Sequence, residues 1–347
     1  MTLAVRYTAA RTLDTAPTES SPPGPGEVEV APAYVGICGT DLHIFHGDMD
    51  ARVQAPAVLG HEMSGRIVRV GPEVEGWQPG DAVTVMPLRW DDSCPACRAG
   101  HRHICQHLDF IGIDSPGAMQ QRWTVPAATL LRLPDSVALD RAALVEPTAV
   151  AVHDVGRAEV RGGERVVVVG GGPVGVLIAL VAQAAGADVR VVELSAHRRL
   201  LAEELGLTAW DPAAVDVPDL VRQWTDDAGA DVAFEVSGAA GGVDTAVDVL
   251  GVRGRLCLVA IHPRPREINL HRFFWRELTL VGARLYDRSD FERAVTLVAD
   301  GTIPADRLIS KVVPLTEAPS AFTALEGGGD VMKILVDCGN GTEGAQA

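Results

Sequence analysis

Cysteine and histidine residues in the first third of the chain carry the donor atoms that zinc prefers. Cys94 and Cys97 are separated by two residues, and Cys105 follows in the same loop, which also contains proline and glycine. Thiols spaced in this way are typical of one lobe of a structural zinc site. Such a site needs four donors, so the fourth ligand is open at this point.

A second set of donors indicates a catalytic metal. Cys38 lies in GICGTDLH and His61 in GHE. A catalytic zinc commonly takes three protein ligands and keeps one position open. Glu62 and Glu146 are the carboxylates available to complete the set. Taken alone, a cysteine such as Cys38 is more often a small buried core residue.

The middle of the chain predicts a dinucleotide-binding unit. The apolar run RVVVV at 165–169 feeds GGGPVG, and an acid, Glu193, follows about 20 residues further on. Glycines in this loop permit a tight turn and a close approach of backbone N–H groups to a pyrophosphate. The candidate cofactor contacts in the loop are Gly170, Gly172, Pro173, Val174 and Gly175.

Glu193 favours NAD over NADP as the cofactor. A carboxylate accepts hydrogen bonds from both ribose hydroxyls and repels a 2′-phosphate. Arg198 and Arg199 follow closely and could receive such a phosphate, so Arg198 stays a candidate cofactor contact. With Glu193 present, exposed arginines on the next helix are the favoured interpretation.

The remaining runs complete an α/β fold. Four further strands are expected at Arg190–Leu194, Asp231–Val236, Arg255–Ile261 and Leu278–Val281. Strands alternating with helices predict a doubly wound parallel sheet over residues 151–285, preceded by a mainly β region over 1–150. Ser237 and Ile261, at the ends of later strands, are expected to contact the cofactor.

Composition limits the class of protein. A chain of 347 residues with 47% apolar residues predicts two domains, and a net charge of −16 argues against nucleic acid or a membrane surface as partner. The most apolar stretch, 166–187, carries three glycines and a proline at its centre, which disfavours a membrane span. No export signal is recognisable, and reduced thiols predict a cytoplasmic protein.

The motifs together resemble a known family. GICGTDLH, GHEMSGRIVRVG, the cysteine loop, VEPTAVAVH and GGGPVG occur in the order found in zinc-dependent medium-chain alcohol and polyol dehydrogenases, and look closest to the diol and polyol branch. The resemblance implies a GroES-like catalytic domain split between 1–150 and 286–347, which flanks a Rossmann domain at 151–285. It also implies a cleft between the domains and a homodimer or homotetramer.

The resemblance also assigns roles at the catalytic zinc. Cys38 and His61 match zinc ligands, and Glu62 matches a carboxylate that ligates or approaches the metal. Glu146 matches a position that ligates in some members and holds a zinc-bound water in others. Which of the two carboxylates ligates directly is left open. Asp41 matches the acid that orients the histidine ligand.

The implied activity is NAD-dependent oxidation of a small secondary alcohol. Thr40 matches the hydroxyl that passes on the substrate proton, and His43 the last member of the relay. Ile44 stands where sorbitol enzymes have a tyrosine, which favours a vicinal diol over a hexitol and leaves a sugar derivative open. The alternatives are an L-threonine 3-dehydrogenase and a non-catalytic NAD-binding protein.

The same resemblance supplies a fourth ligand for the cysteine loop. The structural zinc loop of the family runs C-x2-C-x2-C-x7-C, and its first position falls on Asp91 here. A carboxylate oxygen is an acceptable zinc donor with the charge of a thiolate. We therefore expect a structural zinc at Asp91, Cys94, Cys97 and Cys105, with His101 as the second choice.

Other potential ligands have ordinary structural interpretations. The loop histidines His101, His103 and His107 are expected to be solvated. Cys257 lies in an apolar strand and Cys338 near the end of another, so both are expected to be buried. Neither cysteine is expected to take part in the chemistry.

Overall fold

A computed structural model describes residues 2–262, 264–326 and 330–339. The chain divides into two compact units. The first is formed by residues up to Glu146 together with those from Asp287 onward, and the second by Pro147–Tyr286. Among the helices in these ranges, none is long and apolar enough to cross a membrane.

The first unit is built mainly from strands. Its leading segment contains β1 Thr2–Ala9, β2 Thr12–Thr18, β3 Glu27–Gly36, β4 Ala57–Val58, β5 Glu62–Val70, β6 Ala82–Val85, β7 Leu88–Arg89, β8 Asp109–Phe110, β9 Trp123–Pro126 and β10 Leu130–Arg132. Its helices are α1 Gly39–His46, α2 Pro95–Arg98, α3 Leu139–Ala142 and the start of α4 Val145–Arg157, with 3₁₀ turns at Arg102–Ile104 and Ala127–Thr129.

The second unit alternates strands and helices. Its strands are β11 Arg165–Val169, β12 Asp188–Val192, β13 Thr208–Trp210, β14 Ala230–Glu235, β15 Leu250–Leu258 and β16 Thr279–Gly282. Its helices after α4 are α5 Pro173–Ala184, α6 Ala196–Glu204, α7 Val217–Trp224, α8 Ala240–Asp248 and α9 Leu270–Arg276. The strand order β13-β12-β11-β14-β15-β16 is parallel throughout, which is the doubly wound order.

The last segment returns to the first unit. It contains α10 Arg288–Ala299, α11 Ala305–Leu308, β17 Ile309–Pro314, a 3₁₀ turn at Leu315–Glu317, α12 Ala318–Glu326 and β18 Lys333–Asp337. β18 pairs antiparallel with β3, and β3 pairs on its other side with β5. Strands from both ends of the chain therefore form one sheet, in the order β10-β6-β5-β3-β18-β17 with β9 also on β3.

The predicted α/β fold is confirmed, with shifts at the strand ends. β12 ends at Val192 and not at Leu194, whose side chain is 66% exposed. β15 begins at Leu250 and ends at Leu258, so Ile261 lies in the following loop. Burial decides these limits, because a central parallel strand continues only while its side chains are covered on both faces. Cys257 and Cys338 are fully buried, as predicted.

The glycine loop of the second unit shows why glycine is needed there. Gly172 caps α5, whose first residue is Pro173. A Cβ on Gly175 would lie 1.8 Å from the carbonyl oxygen of Gly170, so any side chain would push the helix off the sheet. The loop is therefore held close to the carboxyl end of β11.

Candidate metal centres and cofactor site

Three potential metal ligands of the first unit lie together. Cys38 caps α1, while His61 and Glu62 stand at the start of β5. Gly36 at the end of β3 is the register partner of Glu62, so the β3–β5 pairing brings the two segments side by side. One ligand atom from each of Cys38, His61 and Glu62 lies within 4.8 Å of the others.

A buried aspartate lies behind His61. Asp41 is fully buried on α1, and its Oδ2 accepts a hydrogen bond from the backbone N–H of Cys38 at 2.9 Å. Its Oδ1 lies 3.6 Å from His61 Nδ1, and neither of these two atoms makes a hydrogen bond in the described ranges. An Nδ1–H directed at Asp41 leaves Nε2 of the imidazole for a metal.

The charges around His61 also fit a cation. Burial alone would lower the pKa of His61, but the charges of Asp41, Cys38 and Glu146 outweigh it and raise the pKa well above its usual value. Burial raises the pKa of the Asp41 carboxyl. Buried acidic groups in this number require positive charge nearby, which a divalent cation supplies. The donor set, a thiol, an imidazole and a carboxylate, is one that zinc accepts.

A lysine from the far end of the chain completes this region. Lys333 Nζ lies 2.6 Å from Glu62 Oε2 and 2.8 Å from Oε1, and donates to the carbonyl of Ile37 at 3.2 Å. Lys333 is 4% exposed and Glu62 1%. Burial lowers the pKa of Lys333, but the charges of Glu62 and Cys38 outweigh it and raise the pKa. Both oxygens of Glu62 are therefore already paired with a cation.

Sequence reasoning missed Lys333. The residue opens an apolar strand, KILVD, and a lysine at a strand end is ordinarily solvated. The only local signal of a buried lysine is the apolar run that follows Lys333 in the chain. Its partner is 271 residues away, so the pairing is visible only once β18 is placed beside β3.

Glu146 occupies a second position near the cluster. It is buried in the first turn of α4, and its charge contributes to the raised pKa of both His61 and Lys333. Glu62 is tied to Lys333, whereas Glu146 is placed to add negative charge to the same region. Both carboxylates thus remain candidates for the third ligand.

Helix α1 carries the residues of the expected proton relay. Thr40 is half-buried next to the cap at Cys38. His43 Nδ1 lies 3.1 Å from Asp48 Oδ2, and the two side chains are 43% and 60% exposed. Ile44 is completely buried, so it does not line a solvent-accessible site. The burial of Ile44 therefore removes the sequence argument that this residue selects a short diol, because its side chain lies in the core.

The cysteine loop gathers its four expected ligands. One ligand atom from each of Asp91, Cys94, Cys97 and Cys105 lies within 4.8 Å of the others. Cys94 Sγ lies 3.8 Å from Cys105 Sγ, which in turn is 3.4 Å from Asp91 Oδ1. Backbone N–H groups of Gln106 and Cys97 lower the pKa of the Cys94 thiol to about 7, which favours the thiolate that zinc binds.

Asp91 is held in place by its neighbours. Its Oδ2 contacts His107 Nδ1 at 2.6 Å and the Ser93 hydroxyl at 2.9 Å, while Oδ1 accepts the backbone N–H groups of Ser93 and Cys94. The His107 contact and these N–H groups hold the pKa of Asp91 well below its usual range. The carboxylate is therefore ionised and directs Oδ1 towards the thiols.

The loop histidines differ from expectation. His103 is buried, and its Nδ1 lies 2.9 Å from Asp287 Oδ1, so its expected solvation is wrong. His107 is exposed but bound to Asp91, and His101 is exposed. The return segment supplies Asp287, which is why the loop sequence alone does not indicate the contact.

The acid after β12 is arranged to bind hydroxyl groups. Glu193 Oε2 accepts the N–H of Gly171 and Oε1 that of Ser195, both at 2.7 Å. Each carboxylate oxygen has a second lone pair, which gives Glu193 the capacity to accept hydrogen bonds from two ribose hydroxyls. Arg198 Nη1 lies 4.0 Å from Glu193 Oε2, while Arg199 binds the carbonyls of Glu193 and Leu194.

The remaining predicted cofactor contacts lie on two loops. Ser237 follows β14 and Ile261 follows β15, at the carboxyl ends of the parallel strands. Ligands bind to this edge in doubly wound sheets. Ser237 packs against Gly170, since a Cβ on that glycine would lie 2.8 Å from the Ser237 nitrogen.

Two family models match this chain. "Alcohol dehydrogenase GroES-like domain" matches residues 24–135, and "Zinc-binding dehydrogenase" matches residues 173–300. A 2-dehydro-3-deoxy-L-galactonate 5-dehydrogenase from Pseudoalteromonas atlantica is 47% identical, over 96% of this chain and 98% of the relative. The chain belongs to the zinc-dependent medium-chain dehydrogenases.

Other members of the family show the same correspondence. An L-galactonate-5-dehydrogenase from Escherichia coli is 33% identical, over 86% of this chain and 88% of the relative. The crystal structure of 2R,3R-butanediol dehydrogenase from Bacillus subtilis matches with a TM-score of 0.90 at 31% identity, covering 97% of this chain and 99% of that one. This dehydrogenase is thus similar to polyol and sugar-acid enzymes along its whole length.

Replacement of Asp91 tests the oxygen donor of the cysteine loop. We expect Asp91→Asn to lower the zinc retained by the dehydrogenase after dialysis against a chelator from about two ions per chain to about one, because a neutral amide is a poor zinc donor. Mass spectrometry of the retained metal measures this. Asp92→Asn is the matched control, since Asp92 pairs with Arg102 outside the cluster. Equal zinc in all three proteins would contradict the assignment.

Replacement of Lys333 tests the buried ion pair. We expect Lys333→Met to destabilise the dehydrogenase by about 3 kcal/mol, because the change leaves Glu62 buried without its counter-charge. Chemical denaturation of the chelated protein measures this. Lys333→Met combined with Glu62→Gln should recover most of the loss. If Lys333→Met alone is as stable as the parent, the pair does not balance the charge of Glu62.

Proposed function

We propose that this chain oxidises a secondary alcohol of a sugar acid or related polyol and passes the hydride to NAD. The observation that carries the proposal is the cluster of Cys38, His61 and Glu62 backed by the buried Asp41. The arrangement of Glu193 beside the glycine loop supports NAD as the cofactor.

Zinc, when bound, supplies the Lewis acidity that makes the substrate hydroxyl easier to deprotonate. Cys38 and His61 hold it, with Glu62 or Glu146 as the third ligand. Asp41 fixes the orientation of His61, so Nε2 is the ring nitrogen that ligates. Lys333 pairs with both oxygens of Glu62, and the charge of Glu146 acts on the same region, which favours Glu146 as the carboxylate that acts at the metal or on a water.

The substrate proton leaves along helix α1. Thr40 is placed one turn before His43, and its hydroxyl accepts the proton of the alcohol and passes one on. His43 delivers the proton to solvent, helped by Asp48, which orients the ring through Nδ1. The partial exposure of the His43 side chain supports its position at the outer end of the relay.

NAD, when bound, accepts the hydride. The N-terminus of α5 and the glycine loop bind the pyrophosphate, and Glu193 accepts the hydroxyls of the adenosine ribose. A 2′-phosphate would be placed against this carboxylate, which is why NAD is favoured. Arg198, 4.0 Å from Glu193, partly offsets that repulsion, so we expect the reaction with NADP to be slower than with NAD.

The relatives favour a sugar acid as substrate. The relative that is 47% identical acts on 2-dehydro-3-deoxy-L-galactonate and the Escherichia coli relative on L-galactonate, and both are 5-dehydrogenases. The sequence argument for a short diol rested on Ile44, whose side chain is buried. Butanediol and threonine therefore come second and third as substrates.

A substrate panel tests the proposal. Galactonate-type sugar acids, hexitols, 2,3-butanediol and threonine are offered with NAD or NADP, and NADH formation is followed. We expect kcat/KM to be highest for a sugar acid and at least about tenfold higher with NAD than with NADP, because the unfavourable charge contact costs upwards of one kcal/mol. A preference for threonine would overturn the substrate class, and a preference for NADP the role of Glu193. Binding of NADH without turnover of any alcohol would favour the non-catalytic alternative.

We also propose a homodimer or homotetramer in the cytoplasm. β16 is an edge strand of the cofactor sheet, and Leu280 on it is 45% exposed. The preceding helix α9 exposes Phe274 and Trp275, so this edge is suited to pair with a second copy. None of the six cysteines, all of which lie in the described ranges, forms a disulfide, which supports a reducing compartment.

A charge placed on this edge tests the assembly. We expect Leu280→Lys to reduce the oligomer to a monomer, because an ammonium would be buried at the contact between the two copies. Light scattering of the purified protein measures the mass. Leu200→Lys, at an exposed leucine on α6, is the control and should keep the mass of the parent. An unchanged mass for Leu280→Lys would place the interface elsewhere.

A further inference from the structure

A buried carboxylate joins the loops that follow two neighbouring strands of the second unit. Glu235, the last residue of β14, is completely buried. Its Oε1 accepts the Ser237 hydroxyl at 2.5 Å and the backbone N–H groups of Ser237 and Gly238 at 3.0 and 3.1 Å. Its Oε2 lies 2.9 Å from His262 Nε2. One side chain therefore binds both loops.

His262 is oriented from both sides of its ring. Arg266 Nε donates to Nδ1 at 3.5 Å, so Nε2 carries the proton that Glu235 accepts. The backbone carbonyl of Glu235 also accepts the N–H groups of Val259 and Ala260, at 3.0 and 3.1 Å. The segment 259–262 is thus attached to β14 at its beginning through the backbone and at its end through the histidine.

These contacts lie at the edge of the sheet that binds a dinucleotide. The loops follow β14 and β15, in the half of the sheet that does not carry the glycine loop and Glu193, and this second half binds the second nucleotide, nicotinamide mononucleotide. The glycine loop also packs against the loop after β14, because a Cβ on Gly170 would lie 2.8 Å from the Ser237 nitrogen.

The residue between the two attachment points is exposed. Ile261 follows Ala260 and precedes His262, and its side chain is 69% exposed. An apolar side chain presented at a cofactor edge contributes to binding when its backbone is already fixed, since ordering it during binding costs free energy. The Glu235–His262 contact supplies that rigidity.

We propose that His262 is a positioning residue for NAD: its hydrogen bond to Glu235 fixes the backbone of Ile261, which contacts the nicotinamide half of the cofactor. The inference rests on the proposed function in taking NAD as the bound dinucleotide. Without the donor, Glu235 Oε2 loses its partner and the loop after β15 is released at one end. Binding of the cofactor then weakens while the zinc sites, in the other unit, are unaffected.

Cofactor binding by variants of His262 tests this. The dissociation constant for NADH is measured by fluorescence titration of the full-length, zinc-loaded protein without any alcohol. We expect His262→Leu to raise the dissociation constant for NADH about tenfold, because this is the size of effect expected when a hydrogen bond to a buried carboxylate is lost. His262→Gln, whose amide N–H reaches Glu235, should stay within about threefold of the parent, whereas the shorter His262→Asn should resemble His262→Leu.

A control and a second readout separate positioning from general damage. His271→Leu changes a histidine of α9 that stacks on Trp275 and should leave the dissociation constant unchanged. Zinc content should be the same in all variants. If His262→Leu does not fold, the dissociation constants of the glutamine and asparagine variants test whether the hydrogen bond to Glu235 is required.

Two results would overturn the inference. One is a dissociation constant for His262→Leu, or for His262→Asn, that stays within about twofold of the parent, since that is below the effect of one lost hydrogen bond. The other is equal weakening by the glutamine variant, because then the hydrogen bond is not what matters. Failure of the proposed function shows itself separately, as absence of turnover with every alcohol while the parent protein binds NADH.

Discussion

The ion pair between Lys333 and Glu62 connects the leading and the returning segment of the chain inside the first unit, which holds the catalytic metal ligands. Both partners are almost completely buried, and such charges are tolerated only when they are paired and hydrogen-bonded. The pair forms because β18 lies beside β3, which places the start of the last strand next to the start of β5. The remaining acidic groups around His61 depend on Lys333 and on the metal for their electrostatic balance.

Much of the fold follows from local sequence pattern. The glycine loop between β11 and α5, the acid after β12 and five of the six parallel strands are set by residues close together in the chain and follow from local pattern. The short strand β13, Thr208–Trp210, is not located by the sequence analysis. The exact strand ends are not predictable from local pattern, because they depend on which side chains the neighbouring helices cover. Leu194 illustrates this, since it continues an apolar run and yet lies exposed beyond the strand.

The residues of the candidate site also fall into those predicted from local sequence and those that depend on distant segments. Cys38, His61 and Glu62 can be recognised from short motifs, and Asp91 from the resemblance of the cysteine loop to the structural zinc loop of the family. Lys333, the burial of Ile44 and the contact of His103 with Asp287 each depend on a segment from the other end of the chain or on packing. Asp41, which orients His61, lies in the same short motif as Cys38 and is predicted with it, whereas Lys333 lies 271 residues from Glu62 and is not.

The position of Lys333 has a consequence for the order in which the protein matures during synthesis. The cofactor unit is one continuous stretch, Pro147–Tyr286, and can fold as soon as it leaves the ribosome. The catalytic unit, although it begins first, lacks two strands of its sheet until residues 309–337 have been made. Until then Glu62 has no counter-charge, and its segment stays open to water. The amino-terminal residues that gather the catalytic metal are thus translated early and assembled last.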